Sequence, residues 1–234
     1  MIKGDLIASL QDENKKITIP GFYDDVIEVS LDERALMAKA PFNEDEYKKA
    51  INVKALSGEK GYSPSEHTGI RPSFDVCGIW GGYTGEGAKT VLPSKAYAKI
   101  STRLVPDQDH NKIAELIKNH LESIAPEYVT VKVENLHGGP AYVSPTDLIA
   151  YKAADKAYTE AFNKQPVPVR SGGSIPIISA FEKILGTKSI LMGFGLESDA
   201  IHSPNENYPV WNFFKGIETI TYFYKYFTEM MRKS

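Results

Sequence analysis

Small or apolar side chains alternate with polar ones along two stretches of the chain, which predicts β-strands with one inward face. In residues 95–105, KAYAKISTRLV, the inward set is Ala96, Ala98, Ile100 and Leu104. In residues 128–136, YVTVKVENL, the inward set is Val129, Val131 and Val133. The stretch 73–83, SFDVCGIWGGY, comes before both and is also predicted to be a strand. A small antiparallel sheet is therefore expected between residues 73 and 136.

A helical period replaces the alternation in residues 107–125, DQDHNKIAELIKNHLESIA. Either Asp107 or Asp109 can cap the N-terminus of this helix, because both offer a carboxylate to unpaired backbone amides. The apolar stripe consists of Ile113, Leu116, Ile117, Leu121 and Ile124. The order strand, strand, helix, strand predicts an α+β module with helices on one side of the sheet.

Patterns in the first 75 residues are more polar and more often interrupted. Residues 43–58, NEDEYKKAINVKALSG, predict an amphipathic helix that ends at Gly58. The following segment 61–72, GYSPSEHTGIRP, predicts a loop.

The order of predicted elements changes after Gly138, Gly139 and Pro140, where predicted helices and strands begin to alternate. Helices are expected at 146–162, at 174–186 with Ser174 as the N-cap and Gly186 as the stop, and at about 211–231. Strands are expected at 167–173, VPVRSGG, and at 189–195, SILMGFG. The second of these is apolar throughout, as in a buried strand of a parallel sheet.

Composition limits the classes of function. Of the 234 residues, 42% are hydrophobic, which is enough for a sizeable core. The net charge of −3 provides no basic surface for nucleic acid. Cys77 is the one cysteine, so an intrachain disulfide is excluded, and a reducing, cytoplasmic location is expected. Lys215, Glu218 and Lys225 interrupt the apolar segment 211–231, which predicts a core-facing helix and no membrane span.

One glycine-rich stretch, GGYTGEGAKT at residues 81–90, has a superficial likeness to a phosphate-binding loop. Ala88 separates Gly87 from Lys89, and the residues after Thr90 continue as a predicted strand. A phosphate-binding loop needs a helix N-terminus at that point, so a glycine-rich hairpin is the better interpretation.

Four stretches together resemble, in order, the C-terminal half of the co-catalytic zinc metallopeptidases, a family that includes carnosinase, cytosolic nonspecific dipeptidase and carboxypeptidase G. They are LIASLQDENKKITIPGFYDDV at 6–26, GAKTVLPSKAYAKISTRLVP at 87–106, RSGGSIP at 170–176 and SDAIHSPNE at 198–206. The resemblance implies that residues 1–138 form a lid and dimerisation domain whose first strand is missing. Residues 139–234 would then be the last part of an α/β catalytic domain.

The resemblance also assigns roles to single residues. It makes His202 a ligand of one of two zinc ions per protomer, and a neutral imidazole is a good zinc ligand. It makes Arg103 the residue that grips the terminal carboxylate of a peptide substrate, and Thr90 a further substrate contact from the lid. Gly173 and Ser174 match the turn that binds the same carboxylate.

Each of these residues also has a purely structural interpretation. His202 could be a solvated loop residue, Arg103 a surface arginine, and Thr90 the first residue of a strand. The turn could be a tight connection capped by Ser174, although a cap and an anion site use the same geometry. Asp199 could hydrogen-bond the second ring nitrogen of His202 as an outer-shell partner.

The remaining parts of the family's active site are expected upstream of Met1, because the chain contains no H-x-D pair, no Glu-Glu pair and no H-E-x-x-H motif. No catalytic residue is therefore assigned within the chain, which is expected to be an inactive fragment of a di-zinc exopeptidase. The parent is expected to be a homodimeric dipeptidase that cleaves the peptide bond next to a free carboxylate. The alternatives are a deacylase or desuccinylase of the same family, or a non-catalytic dimerisation module.

Overall fold

The computed structural model of the chain describes residues 2–172 and 175–233, and it separates into two compact units. The first unit comprises the described residues of 1–142 and 169–179, and the second those of 143–168 and 180–234. The elements are α1 (Ile2–Ala8), α2 (Leu31–Met37), α3 (Glu44–Ala50), α4 (Pro64–Gly69), β1 (Asp75–Gly81), β2 (Ala96–Ser101), α5 (His110–Ser123), α6 (Ile149–Phe162), α7 (Pro176–Leu185) and α8 (Val210–Met231). The domain boundary expected at Gly138 stays a prediction.

The first unit contains an antiparallel pair of strands, as the alternation predicted. Ile79 of β1 faces Ala98 of β2, and Trp80 faces Tyr97. The rings of the second pair stack with their centroids 5.3 Å apart. The register shifts between Val76 and Gly78, so that β1 carries a bulge.

Helix α5 packs on the core that Ile100 of β2 also contacts, and it confirms its predicted stripe. Asp109 is the N-cap, and its carboxylate accepts hydrogen bonds from the amides of Asn111 and Lys112 at 2.9 and 2.8 Å. Ile113 and Leu121 are buried, and Leu116, Ile117 and Ile124 pack against the same core as partly buried residues. The core also contains Leu10, Ile17, Ile19, Phe22, Phe74 and Leu104.

Residues 128–136 form no strand with any other described segment, so the third predicted strand is wrong. Their alternation is nevertheless real, because Val129, Val131 and Val133 are half-buried while Lys132 and Glu134 are exposed. Val131 and Val133 pack against the core of the first unit. The pattern therefore reports burial, whereas a strand also needs a hydrogen-bonded neighbour.

The N-terminal region differs from its predictions in two places. Helix α3 ends at Ala50 rather than at Gly58, and Asn52 adopts a left-handed φ of 56°, which a continuing helix does not allow. The predicted loop 61–72 contains helix α4. A signal was present in the sequence, since Ser63 and Glu66 form a capping box with Pro64 in the first turn.

A buried arginine organises this region. The guanidinium of Arg71, whose side chain is 6% exposed, donates to both carboxylate oxygens of Glu59 at 2.8 and 2.9 Å and to Glu28 at 3.0 Å. It also lies over the rings of Tyr23 and Tyr62, 4.9 and 4.5 Å from their centroids. The charge is therefore paired in its buried position, as a buried charge must be.

A second ion pair joins α2 to α4. Arg34 donates from Nε to Glu66 Oε1 at 2.5 Å, and the other oxygen of Glu66 accepts from the backbone amide of Ser63 at 2.7 Å. Glu66 is buried. The hydrogen bond from Arg34, and then that from the Ser63 amide, lower the pKa of the Glu66 carboxyl to about 2 against the effect of burial.

The second unit is built on the packing of α6 against α8. Ala153 and Ala157 are fully buried against Tyr226, since their small side chains let the two helices approach closely. Tyr158 donates from its hydroxyl to the Gly193 carbonyl at 2.8 Å, and burial raises its pKa to about 12. Helices α6, α7 and α8 match their predicted positions, and Gly186, with a φ of 65°, ends α7.

The two strands expected in this half are not formed by the described residues of 167–173 and 189–195. Leu191 is 53% exposed, so the second stretch is not the buried strand that its composition predicted. Helix α8 also has an exposed apolar stripe, formed by Val210, Phe213, Phe214, Ile217 and Tyr224. Within the described part of the chain, no helix combines the length and hydropathy that a membrane crossing requires.

The low pKa of Glu66 predicts a loss of stability in acid. An unfolded Glu titrates near its ordinary value of 4.5, so the unfolded chain takes up this proton before the folded chain does. We expect the contribution of Glu66 to be complete above about pH 5 and to be lost as the pH falls towards 2. The Glu66→Gln variant should be less stable by on the order of 2 kcal/mol at pH 7, with a smaller difference near pH 3.

Urea unfolding at several pH values measures this difference. Glu134→Gln is the control, because Glu134 also forms an ion pair, with Lys132, but its side chain is 63% exposed. If the loss of unfolding free energy in Glu66→Gln stayed constant between pH 7 and 3, the lowered pKa of Glu66 would be contradicted.

Candidate substrate- and metal-binding residues

Arg103 lies two residues beyond the end of β2, where Ser73 fixes its backbone. The Ser73 amide donates to the Arg103 carbonyl at 2.9 Å, and the Arg103 amide donates to Ser73 Oγ at 3.4 Å. The residue is exposed. The backbone of Arg103 is therefore anchored just after the end of a strand, and this anchoring suits an arginine whose guanidinium binds a ligand.

The glycine-containing turn of RSGGSIP packs beside this arginine. A side-chain carbon at Gly172 would lie 3.7 Å from Arg103 Cβ and 3.2 Å from the Thr68 carbonyl oxygen. At Gly69, at the end of α4, such a carbon would lie only 2.5 Å from the carbonyl oxygen of Arg170. The missing side chains of the two glycines thus let the turn approach α4, and Gly172 comes to lie beside Arg103. Gly173 and Ser174, the two residues predicted to bind substrate here, lie outside the described residues.

Arg170 is held by α2 as well. It donates from Nε and Nη2 to the two carboxylate oxygens of Glu33, at 2.6 and 2.9 Å. The two-pronged geometry matches the planar guanidinium to the planar carboxylate. Arg170 belongs to a recognised motif, whereas nothing in the sequence around Glu33 predicts that it would reach a residue 137 positions away.

Thr90 is exposed in the loop between β1 and β2. The same loop folds over Tyr83, whose hydroxyl donates to the Glu86 carbonyl at 2.8 Å and whose ring lies under Lys89. Because β2 starts at Ala96, Thr90 does not begin a strand. The element that follows Thr90 is the strand β2 and not a helix, so the loop lacks the helix N-terminus of a phosphate-binding loop.

His202 belongs to the second unit, in the loop after a short 3-10 turn at Glu197–Asp199. It is exposed, and its backbone amide donates to Glu206 Oε2 at 3.2 Å. Three residues of this loop, Ala200, His202 and Asn205, have φ values between 53° and 66°. The side chain of His202 is thus accessible on a tightly turned loop.

Asp199 does not bond to the imidazole of His202, so that predicted outer-shell contact is absent. Its Oδ2 accepts from the Leu196 amide at 2.8 Å, and its Oδ1 is buried without a partner among the described residues. Its carbonyl accepts from the Asn207 amide at 2.9 Å. Asp199, which is 1% exposed, therefore fixes the loop from inside, beneath an open cavity of about 380 Å³ that it lines together with Gly195, Ile201, Glu206, Asn207 and Tyr208.

A structural zinc site needs about four ligands, and a catalytic one about three from the protein. Among the residues that the structure describes, no three His, Cys, Asp or Glu side chains group closely enough to hold a metal ion. The described donors therefore do not fit a complete zinc site, and His202 could supply one ligand.

These features, an antiparallel strand pair among helices and a glycine turn beside an arginine, match a known class of protein. The family model of the peptidase dimerisation domain of the M20 peptidases matches residues 3–129. The chain belongs to this family of peptidase dimerisation domains.

Relatives extend the similarity beyond residue 129 to nearly the whole chain. The Cys-Gly metallodipeptidase DUG1 of Saccharomyces cerevisiae is 31% identical over 227 residues, which are 96% of this chain and 47% of the relative. The Beta-Ala-His dipeptidase of Homo sapiens is 28% identical over 225 residues, 94% of this chain and 44% of the relative. The chain thus spans about half the length of these relatives, in their C-terminal half.

Solved structures agree with this assignment. The dipeptidase Dug1p from Saccharomyces cerevisiae superimposes with a TM-score of 0.83 at 31% identity, over 97% of this chain and 48% of that protein. The M20 family metallo-carboxypeptidase Sso-CP2 from Sulfolobus solfataricus gives a TM-score of 0.82 at 30% identity, over 96% of this chain and 51% of that protein. The predicted fold class, a small antiparallel sheet with helices in an M20 peptidase, is confirmed.

The contact at Gly69 yields a prediction about the turn. A methyl group in the Gly69→Ala variant would overlap the Arg170 carbonyl, which is backbone and cannot simply rotate away. We expect the variant to lose about 1–3 kcal/mol of unfolding free energy, because overpacking forces the backbone apart. Urea unfolding measures the loss.

Gly193→Ala is the matched control, because nothing lies within 4 Å of a carbon added there. It should change stability by about 0.5 kcal/mol or less. Equal stability of the Gly69 variant and the wild type would show that residues 69 and 170 do not meet as described.

Proposed function

We propose that the chain is the C-terminal part of a di-zinc exopeptidase, a dipeptidase that cleaves the peptide bond next to a free carboxylate. The observation that carries the proposal is the position of Gly172 against the side-chain stem of Arg103. The names of the relatives support it, since the Cys-Gly and Beta-Ala-His substrates in those names are dipeptides. We assign residues 1–138 to the lid and residues 139–234 to the catalytic domain.

In this proposal Arg103 and the turn recognise the substrate. A guanidinium can donate two parallel hydrogen bonds to a terminal carboxylate. A glycine turn that leads into a helix, here α7, can add backbone amides that point at the same anion. Gly173 and Ser174 would contribute these donors, and Thr90 would contact the substrate from its exposed loop.

His202 would provide one zinc ligand, and the other ligands and the general base would come from residues beyond those of this sequence. Two observations support this division: the sequence lacks the H-x-D and Glu-Glu pairs, and the chain spans about half of its relatives. The exposed apolar stripe of α8 offers a surface on which such a further segment could pack. We propose that the chain by itself is inactive.

A chimaera tests the enzymatic proposal, with this chain replacing the matched half of yeast DUG1. We expect the chimaera to hydrolyse Cys-Gly, whereas the 234-residue chain alone should not. The Arg103→Ala variant should lower kcat/KM by about 100-fold, because a charged hydrogen bond contributes about 1.5–3 kcal/mol. The His202→Ala variant should lose activity together with about one equivalent of zinc per protomer.

His137→Ala is the control for His202, because His137 is also an exposed histidine in a loop. It should retain both activity and zinc. Two results would contradict the proposal: hydrolysis that survives His202→Ala, or near-stoichiometric zinc in the isolated chain.

We further propose that the chain forms a homodimer through the open edge of β1. Within the described residues β1 has one hydrogen-bonded neighbour, β2, so its other edge is available. Val76, Ile79 and Trp80 on β1 are exposed apolar residues, whereas β2 exposes one large apolar side chain, Tyr97, beside the small residues Ala96 and Ala98. An edge with exposed apolar side chains is suited to pair with its own copy about a two-fold axis.

Light scattering coupled to size exclusion tests the dimer. We expect a mass of twice the 25.9 kDa of one chain. The Ile79→Lys variant should raise the dimer dissociation constant at least about tenfold, because the charge would be buried at the paired edge. Ala98→Lys is the control, since Ala98 faces Ile79 across the pair but lies on the other strand. Loss of the dimer in the Ala98 variant alone would place the interface elsewhere.

A further inference from the structure

Arg170 forms an ion pair with Glu33 and precedes Gly172, the described glycine beside Arg103, by two residues. Both guanidinium nitrogens that face α2 are engaged by both oxygens of the carboxylate, at 2.6 and 2.9 Å. The two side chains are 36% and 24% exposed, so solvent screens them only in part. The pair joins two segments of the first unit that are far apart in sequence.

The partner of Arg170 is itself firmly placed. Glu33 lies in the first turn of α2, and its amide donates to the N-cap Ser30 Oγ at 3.2 Å. The next residue, Arg34, binds Glu66 of α4, so that α2 and α4 are tied together. The carboxylate of Glu33 therefore projects from a fixed pair of helices.

Arg170 is consequently held at two points. Its side chain is bound by α2 through Glu33, and its carbonyl oxygen lies in the space left by the missing side chain of Gly69 at the end of α4. Two residues further on, Gly172 lies against Arg103 and the Thr68 carbonyl. The two contacts of Arg170 therefore restrict the backbone conformation of the chain between Arg170 and Gly172, the residue beside Arg103.

We propose that Glu33 and Arg170 are positioning residues that hold the backbone of Gly172 beside Arg103, so that the Gly172 amide and the Arg103 guanidinium bind one substrate carboxylate together. The inference rests on the proposed carboxylate site and adds the device that aligns its two halves. The Nε and Nη2 groups of Arg170 are engaged by Glu33, so these two donors serve the ion pair and not the substrate carboxylate. The charge of Arg170 holds the backbone near Gly172 in place through its ion pair with Glu33.

The test is a nuclear magnetic resonance titration of the 234-residue chain with glycylglycine, which carries the free carboxylate. The reporters are the Gly172 amide and the Arg103 Nε–H group. Both should shift on titration with glycylglycine and neither with glycylglycinamide, which lacks the carboxylate. In the Glu33→Gln variant the dissociation constant for glycylglycine should rise by about five- to tenfold, because the fork to Arg170 is weakened.

Asp25→Asn is the matched control. Asp25 also pairs with a basic residue, Lys112, at 2.6 Å, and its side chain is 33% exposed. If the pair of Glu33 and Arg170 acted through general stability, both variants would change melting temperature and affinity together. We expect Glu33→Gln to weaken binding while Asp25→Asn leaves it unchanged.

If Glu33→Gln disturbs folding, Arg170→Lys replaces it, because lysine keeps the charge and loses the fork; it should weaken glycylglycine binding to a similar extent. Wild-type affinity in the folded variants would overturn the positioning role and leave the carboxylate site standing. A wild-type chain in which neither reporter responds to glycylglycine would remove the carboxylate site, and the positioning role with it.

Discussion

A buried guanidinium must keep its carboxylate partners, and this requirement organises the segment between residues 24 and 72. Between residues 24 and 72 the buried apolar side chains are those of Met37 and Ile70. Burial of apolar surface therefore does little to fix this segment. Arg71 instead gathers Glu59 and further acidic and aromatic groups around one desolvated charge. Removing one partner of such a buried group costs far more than breaking a surface ion pair.

The placement of the candidate site follows from this network. Helices α2 and α4 are short, and isolated helices of their length are unstable in water. The pair of Arg34 and Glu66 joins them, and together they provide the two contacts that hold Arg170. These ion pairs thus position Arg170 and the backbone that follows it, and Gly172 in that backbone lies beside Arg103.

Elements with a regular local period were predictable from the sequence. The helix α5, the strand β2 and the long apolar helix α8 each repeat a pattern over several turns or pairs, and each element is formed as expected. Ala96 and Ala98, predicted to face inward on β2, are nevertheless exposed. The stretches 128–136 and 189–195 also look like strands by composition, yet neither is one. A strand depends on a neighbour far away in the sequence, and a local pattern does not say whether that neighbour exists.

The sequence by itself determined the family and the residue types of the candidate site, because the motifs around Arg103, the glycine turn and His202 are short, contiguous stretches. Only the tertiary structure decided that Gly172 lies against Arg103 and that Glu33 binds Arg170. It also decided that Asp199 turns inward, away from any bond to His202. These are contacts between segments distant in the chain or choices among local partners, and they are set by packing and by the pairing of buried charge.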